Sequence, residues 1–253
     1  MPHDIAIAGR THVGQVRRRN EDWVEVVPEL GVAVVADGMG GHPGGDVASR
    51  LAADTTARVL SEAIEAERGE QGFSERLREV MSGAVLSAHE AIRARGTVER
   101  ELDGMGTTLT AMVINLESGA WVIGHVGDSR AYRLRGGTLE QLTRDDTWVQ
   151  DQIDRGGMPE ESARLSPYAH LLTQCVGLED PPTPQLLAGV AQAGDAFLLC
   201  TDGLVGMITD NQIERLLGEA HDAPGTDSLD VLLEAANRAG GQDNITAAIV
   251  CFG

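Results

Sequence analysis

The sequence predicts an α+β fold in which β-sheets stack on each other and α-helices lie outside them. Short β-rich segments come first, two long amphipathic helices follow, and strands then return. This order is typical of α+β proteins. The segment 31–36 is a nearly continuous apolar run, which indicates a strand buried on both faces. No internal repeat, low-complexity tract or Pro/Ser-rich linker divides the chain, so we interpret residues 1–253 as a single domain.

The predicted strands are short runs of β-branched and other apolar residues that end at turn residues. They span residues 4–8, 23–27, 31–36, 108–116, 121–125, 131–134, 196–200 and 245–251. The Gly136-Gly137 pair predicts a tight hairpin turn after the sixth strand.

The predicted helices carry apolar residues every three or four positions and charged residues on the opposite face. They cover residues 47–63, 77–92, 148–155, 211–217 and 228–239. The segment at about 145–180 is rich in Pro, Ser and Gly around residues 156–167. A connection of this length and composition predicts a mobile flap.

The charge of the chain excludes several classes of function. Its 20 basic residues are all arginine, and its 39 acidic residues give a net charge of −19. The lack of lysine excludes a P-loop lysine, a Schiff-base lysine and a kinase-type lysine. An acidic chain with only three Trp, two Tyr and three Phe also argues against a nucleic-acid partner, which needs basic patches and stacking rings. Hard cations are better partners for such a chain.

The cysteines and the N-terminus predict a cytoplasmic location. Cys175, Cys200 and Cys251 are odd in number and form no C-x-x-C pair, which argues against a disulfide framework or a zinc ribbon. Residues 1–10 lack the apolar core of a signal peptide. The apolar runs are strand-sized, so we expect no membrane span.

Carboxylates recur at the ends of the predicted strands, next to glycine-containing turns. The acids in this position are Glu21, Asp22, Asp37, Asp128, Asp202 and Asp243. Any single Asp-Gly pair is explained by an ordinary turn. If the strand ends meet at one rim, however, two carboxylates about 4 Å apart repel by about 1 kcal/mol in water and several-fold more near a protein surface. A converging set must then protonate or bind cations, and oxygen ligands favour Mg²⁺, Mn²⁺ or Ca²⁺.

Six motifs, in order and over nearly the whole chain, resemble the PPM (type 2C) family of metal-dependent serine/threonine protein phosphatases. They are Gly14-x-x-Arg17-x-x-Asn20-Glu21-Asp22, Ala36-Asp37-Gly38-Met39-Gly40-Gly41-His42, Gly104-Met105-Gly106-Thr107-Thr108, Gly127-Asp128-Ser129-Arg130, Cys200-Thr201-Asp202-Gly203-Leu204 and Gly241-x-Asp243-Asn244-Ile245-Thr246. The resemblance implies a central sandwich of two antiparallel β-sheets flanked by α-helices, in four layers (αββα).

The resemblance also implies a site for two Mn²⁺ or Mg²⁺ ions. Asp37 would bridge the ions. Asp202 and Asp243 would complete the coordination of one ion, and Glu21 with the backbone carbonyl of Gly38 would coordinate the other. The pair of ions would lower the pKa of a shared water and so supply a hydroxide for in-line attack on phosphorus.

Further roles follow from the same resemblance. Arg17 would hold the phosphoryl oxygens, and Asp22 would orient metal-bound water. Asp128 would bind a possible third, weaker ion beside Asp202. Met39 occupies the position where some relatives carry a general-acid histidine. His42, three residues later, is a candidate for that role, and a metal-bound water or a purely structural histidine are the alternatives.

The expected activity is hydrolysis of phosphoserine and phosphothreonine in proteins, opposing a partner Ser/Thr kinase, by a monomer. The alternatives are a catalytically silent regulator that binds phosphoproteins and a phosphatase for small phosphate esters. One departure from the family is the segment 144–147, Arg-Asp-Asp-Thr, where many relatives have Asp-His-Ser. We interpret the remaining histidines as structural or surface residues; they are His3, His12, His89, His125, His170 and His221.

Overall fold

The fold is built on two five-stranded antiparallel sheets. The computed structural model describes residues 4–39, 44–66, 73–163, 165–220 and 226–253. The first sheet has the order β1-β10-β9-β6-β7, made of β1 Ile5–His12, β10 Ile245–Phe252, β9 Asp195–Cys200, β6 Arg130–Arg135 and β7 Thr138–Gln141. The second sheet has the order β2-β3-β4-β5-β8, made of β2 Asp22–Val27, β3 Val32–Asp37, β4 Leu109–Ile114, β5 Ala120–Val126 and β8 Gln185–Val190.

The two sheets pack face to face through alternate residues of their strands. Ala33 and Val35 of β3 point into this central layer, where Phe197 of β9 meets Trp121 of β5 edge to face with ring centroids 5.3 Å apart. Val34 of β3 points to the opposite side, toward the helices. Both faces of β3 are therefore buried, which explains its continuous apolar sequence.

Helices cover the outer face of each sheet. The long helices α1 Gly45–Ala66 and α2 Phe73–Val98 pack on the second sheet, and α6 Asp210–Ala220 and α7 Thr226–Arg238 pack on the first. The result is four layers, helix–sheet–sheet–helix, so the predicted αββα sandwich is confirmed. Two short helices, α3 Trp148–Asp154 and α4 Glu160–Ala163, lie in the connection from β7 to β8.

The structure contains elements that the sequence did not predict. They are the edge strands β7 and β8, the short helix α4 and the one-turn helix α5 Asp202–Val205. Strand β1 also continues to His12, four residues beyond its predicted end at residue 8. The two edge strands bury few side chains, so they lack the apolar pattern of their neighbours.

Candidate metal centre

The ends of strands from both sheets bring the predicted acids together. Asp22 and Asp37 face each other at the end of the β2–β3 ladder. Asp128 follows β5, and Asp202 follows β9 after a single residue. Asp243 lies two residues before β10. The convergence expected from the strand-end pattern is therefore present in the fold.

Asp37 is fixed by the threonines of the β4 segment. Its backbone N–H donates to Thr108 Oγ1 at 3.0 Å, and its carbonyl accepts from Thr107 Oγ1 at 2.8 Å. Burial raises the pKa of the Asp37 carboxyl well above its ordinary value, and the charges of Asp22 and Asp202 add to this shift. The Asp37 side chain is thus held among like charges that only a proton or a cation can offset.

Asp22 lies opposite Asp37 on the β2–β3 ladder and is buried. Its Oδ2 accepts from Thr201 Oγ1 at 2.9 Å, and Thr201 itself is fully buried. Burial raises the pKa of Asp22 to about 7, although hydrogen bonds from Thr246 and Thr201 act in the opposite direction. The Thr201 contact links the segment between β9 and α5 to the start of β2.

Asp202 carries a buried oxygen atom that lacks a partner. Within the described part of the chain, no hydrogen-bond donor reaches Asp202 Oδ1. Burial tends to raise the pKa of Asp202, but the close approach of His170 and of the Asp37 carboxyl prevails and lowers it. Asp128 next to it has a pKa raised to about 7, chiefly by burial and then by the charge of Asp202. A buried carboxylate oxygen without a donor is a natural position for a cation ligand.

Gly38 approaches the start of α1 so closely that no side chain fits. A Cβ atom at this position would lie 2.1 Å from the carbonyl oxygen of Gly45 and 2.6 Å from that of Glu21. The backbone N–H of Gly38 donates to the Glu21 carbonyl at 3.1 Å. Burial, followed by the charge of Asp46, raises the pKa of the Glu21 carboxyl. The backbone of Gly38 and that of Glu21 are thus joined next to Gly45, where a Cβ atom would lie 3.0 Å from Glu21 Oε2.

Arg17 extends to the rim of the site. Its Nη2 donates to Asp243 Oδ2 at 2.7 Å, and about half of the Arg17 side chain is exposed. The hydrogen bond with Asp243 raises the pKa of the guanidinium. Gly14 allows this approach, because its φ of +81° and a Cβ–oxygen distance of 2.1 Å to the Asp243 carbonyl exclude any other residue. A guanidinium is therefore held beside the carboxylates, open to solvent.

Asn244 connects two segments of the candidate site, although the sequence alone assigns it no role. Its Oδ1 accepts from the Glu21 backbone N–H at 2.8 Å, and its Nδ2 donates to the carbonyls of Val13 and Arg19, both at 2.9 Å. The loop that carries Arg17 is thereby attached to the segment that carries Asp243. The motif match at Asn244 was the available signal, but only the fold shows these partners.

His170, which the sequence leads us to interpret as a structural or surface residue, lies beside one of the predicted acids. His170 is exposed, but its Nδ1 lies 3.4 Å from Asp202 Oδ2. No local spacing could have shown this contact, because His170 comes from the flap and the aspartate from the end of β9. The other candidate histidine, His42, lies outside the described residues.

The residues fit hard divalent cations. The site offers several carboxylates, the backbone of a side-chain-free glycine and one buried carboxylate oxygen without a donor. Oxygen donors of this kind suit Mg²⁺ and Mn²⁺. The raised pKa values of Asp22, Asp37 and Asp128 show how strongly these groups disfavour negative charge in the absence of a counter-ion.

Comparison with known protein families shows to which family this chain belongs. The sequence model of the family described as "Protein phosphatase 2C" matches residues 8–247. The chain belongs to the protein phosphatase 2C family. The resemblance drawn from the six motifs is thus confirmed.

Relatives in this family include bacterial serine/threonine phosphatases. The serine/threonine protein phosphatase PstP of Mycobacterium tuberculosis is 38% identical over 246 residues, which cover 97% of this chain and 44% of PstP. The serine/threonine phosphatase stp of Listeria welshimeri is 35% identical over 251 residues, which cover 95% of this chain and 93% of that protein. The chain thus spans less than half the length of one 2C relative and nearly the full length of the other.

Solved structures of 2C phosphatases have the same fold. A crystal structure of the M. tuberculosis phosphatase PstP/Ppp aligns with a TM-score of 0.84 and 36% identity, over 98% of both chains. The catalytic domain of PstP in complex with two manganese ions aligns with a TM-score of 0.81 and 36% identity, again over 98% of both chains. In the described part of this chain, no helix has the length and apolar character to cross a membrane.

Proposed function

We propose that this protein hydrolyses phosphoserine and phosphothreonine in proteins and requires Mn²⁺ or Mg²⁺. The observation that carries the proposal is the convergence of the strand-end carboxylates around the buried, unpartnered Asp202 Oδ1, with the Arg17 guanidinium at the rim. The serine/threonine phosphatase names of the relatives and the two manganese ions in the PstP complex support it.

We assign the metal-holding roles within this site as follows. Asp37 would hold both ions, Asp202 and Asp243 would hold one of them, and Glu21 with the Gly38 carbonyl would hold the other. When bound, the ions act as Lewis acids that activate water for in-line attack on phosphorus. The hydrogen bonds of Asp37 to Thr107 and Thr108 fix its backbone, which limits the positions that its carboxylate can take.

Arg17 would bind the phosphoryl group of the substrate. Its planar guanidinium matches phosphate oxygens in a two-pronged geometry, and it is already anchored by Asp243 at 2.7 Å. Buried Asp22, held by Thr201, would orient water in the site. Asp128 would contribute to a third ion beside Asp202. His42 remains our candidate for the proton donor to the leaving oxygen.

The substrates we propose are phosphoproteins, modified by a partner Ser/Thr kinase. A monomeric, cytoplasmic enzyme with a flap at about 145–180 is part of the same proposal. The flap begins directly after Arg144, where the segment 144–147 departs from the usual family sequence. We therefore expect substrate preference, rather than the metal core, to be where this enzyme differs most from its relatives.

Hydrolysis of a phosphothreonine peptide tests the proposal directly. The assay compares Mn²⁺ with EDTA, and the wild type with Asp243→Asn. We expect turnover only with Mn²⁺ and its loss in the variant, because a carboxylate ligand and the anchor of Arg17 are removed together. Asp230→Asn is the matched control, since Asp230 is exposed and pairs with Arg10 away from the site.

Three outcomes would contradict the proposal in different ways. Mn²⁺ binding in calorimetry without turnover would favour the catalytically silent regulator. Turnover of small phosphate esters but not of phosphopeptides would favour a metabolite phosphatase. The absence of both turnover and Mn²⁺ binding would mean that the carboxylates do not form a metal site.

A further inference from the structure

A buried histidine on α2 holds the end of the flap. His89 Nδ1 accepts a hydrogen bond from the backbone N–H of Gly177 at 3.2 Å, and both residues are buried. Because an imidazole nitrogen that accepts a hydrogen bond carries no proton, this contact requires the neutral ring with its proton on Nε2. Neither residue takes part in the proposed phosphatase chemistry.

Gly177 packs against α2 so closely that no side chain fits there. Its φ is +102°, and a Cβ atom at this position would collide with Ile92 Cγ2 and lie 2.9 Å from the Met105 carbonyl oxygen. Ile92 follows His89 by about one turn of α2. Two side chains of α2 therefore meet the backbone of the flap at the same point.

From Gly177, backbone pairing leads to the turn that carries Asp37. Val176 N–H donates to the Thr107 carbonyl at 2.9 Å, and Thr107 N–H donates to the Val176 carbonyl at 3.0 Å. On its other side Thr107 pairs with Gly38, and its Oγ1 donates to the Asp37 carbonyl at 2.8 Å. The end of the flap is thus the third of three paired segments, and the first of them carries Asp37 and Gly38.

We propose that His89 is a positioning residue for the metal centre, acting on Asp37 through the end of the flap. It holds Gly177, which keeps Val176 paired with Thr107. This inference rests on the proposed function, because that proposal assigns Asp37 to both metal ions. His89 acts through the backbone alone and takes no part in the reaction.

Thr107 depends on the end of the flap for its backbone hydrogen bonds. Thr107 and Val176 are both fully buried, so water cannot replace one as the partner of the other. Because buried backbone groups without partners are costly, the segment would shift if Val176 moved away. Such a shift would move Thr107 Oγ1 and, with it, the Asp37 carbonyl. If His89 were only a satisfied core residue, its removal would leave Asp37 in place.

The contact should respond to pH, because a protonated Nδ1 cannot accept the Gly177 N–H. Burial, followed by the charge of Arg93, lowers the pKa of His89, while Glu90 acts in the opposite direction. Among the described residues, these are the charges that shift the pKa of the ring, and both lie on α2; the flap faces the ring with the backbone of Gly177. The ring is therefore neutral at pH 7, and the bond to Gly177 should be lost only in acid.

Hydrogen exchange of backbone amides in the metal-free protein tests the contact itself. We expect His89→Ala to lower the protection factors of the Gly177 and Thr107 amides about 3- to 10-fold, the effect of one lost hydrogen bond on local opening. His89→Asn should retain the protection, because the asparagine Oδ1 can accept in place of Nδ1. Between pH 7.5 and pH 4.5 the wild type should lose protection at Gly177, whereas His89→Asn should not, since an amide oxygen accepts throughout this range.

Calorimetry with Mn²⁺ tests the effect on the metal centre. We expect the affinity to fall about 10-fold in His89→Ala and to change less than about 2-fold in His89→Asn, since partners that orient metal ligands typically contribute about 10- to 100-fold. Leu77→Ala is the matched control. It truncates a fully buried side chain of α2 about three turns from His89, so it should lower stability and leave the Mn²⁺ affinity unchanged.

The outcomes separate this inference from the proposed function. Equal Mn²⁺ affinity in the wild type and His89→Ala, or an equal loss in His89→Asn or Leu77→Ala, would overturn the role of His89 and leave the phosphatase intact. If His89→Ala does not fold, the pH series decides, and identical protection of Gly177 in the wild type and His89→Asn would overturn the inference. A wild type that binds no Mn²⁺ would instead overturn the proposed function, while the exchange of Gly177 would still report on its contact with His89.

Discussion

Asp37 lies in an environment that disfavours a negatively charged carboxylate. Burial is the largest cause of the raised pKa of Asp37, and the charges of Asp22, Asp202 and Asp128 raise it further. A bound divalent cation makes the electrostatic energy of the ionised carboxylate favourable, because its attraction to the ion exceeds the repulsion among the carboxylates. The acid to which we assign contact with both ions is thus one whose negative charge the metal-free fold disfavours.

Asp37→Asn should separate activity from stability. We expect phosphopeptide turnover to fall by about 100-fold or more, since metal ions supply several kcal/mol of transition-state stabilisation. The melting temperature in EDTA should stay the same or rise, because asparagine removes a charge from a repulsive cluster. Kinetics with Mn²⁺ and thermal unfolding in EDTA measure the two effects. A variant that melts lower in EDTA would show that the Asp37 carboxylate stabilises the metal-free fold.

Arg17→Ala should weaken the binding of the substrate's phosphoryl group without removing a metal ligand. We expect kcat/KM on a phosphothreonine peptide to fall about 10- to 100-fold, since a charge-assisted phosphate contact contributes about 1.5–3 kcal/mol. A rise in KM alone would mean equal binding of ground and transition states, and a fall in kcat would mean that the contact strengthens during reaction. Arg18→Ala is the control, because Arg18 is exposed and has no assigned role. Equal kinetics for both variants would contradict the assignment.

At the scale of elements, the loop between β1 and β2 depends on one side chain from another segment. Asn244 holds this loop at the Val13 and Arg19 carbonyls and at the Glu21 N–H. Asn244 is buried and precedes β10 directly. The positions of Glu21 and Arg17 relative to Asp243 therefore depend on a side chain that contacts neither phosphate nor metal in our proposal.

Asn244→Ala should therefore reduce both stability and metal affinity. Three lost hydrogen bonds at about 1 kcal/mol each predict a decrease of about 2–3 kcal/mol in the free energy of unfolding. Urea denaturation in EDTA measures this change, and calorimetry with Mn²⁺ measures the affinity. Asn237→Ala, which removes exposed contacts to Gln15 and His12, should change stability by less than about 0.5 kcal/mol. If both variants had equal effects, the loop would not depend on Asn244.

The sequence predicted the buried elements better than the exposed ones. Strand β3 was found because burial on both faces requires a continuous apolar run, whereas the edge strand β8 has no such requirement. The metal-site acids could be located because they end strands and match family motifs. His170 could not, because its contact with Asp202 depends on how the flap folds back over the sheet ends.

At the scale of the whole molecule, negative charge accumulates where the structure is least able to tolerate it. The chain carries a net charge of −19, and several of its acids meet at one rim of the sandwich. Like charges at such distances oppose folding unless they bind protons or cations. Metal binding and folding stability should therefore be linked in this protein.

This linkage predicts opposite pH dependences for the metal-free and metal-bound protein. The pKa of Asp22 and that of Asp128 are each raised to about 7, so in EDTA the folded chain retains protons that the unfolded chain, with pKa values near 3.9, releases. These two acids should then lower the free energy of unfolding between about pH 4 and pH 7, by up to about 1.4 kcal/mol per pH unit each. Burial lowers the pKa values of His125 and His89, which adds a smaller rise with pH in EDTA and in Mn²⁺ alike. With saturating Mn²⁺ the free energy of unfolding should rise over the same range, because the ligands must be deprotonated to bind.

Urea denaturation at pH 5, 6 and 7, in EDTA and in Mn²⁺, measures both slopes. Asp128→Asn should make the decrease of the free energy of unfolding with pH in EDTA smaller by the contribution of one carboxyl group. Asp195 does not obscure the comparison: burial raises its pKa, but the ion pair with Arg135 prevails and lowers it, so its stabilising effect is lost only at a pH below this range. If the slope in EDTA were not more negative than the slope in Mn²⁺, the carboxylates at the rim would not be both the protonated groups of the metal-free fold and the ligands of the metal-bound one.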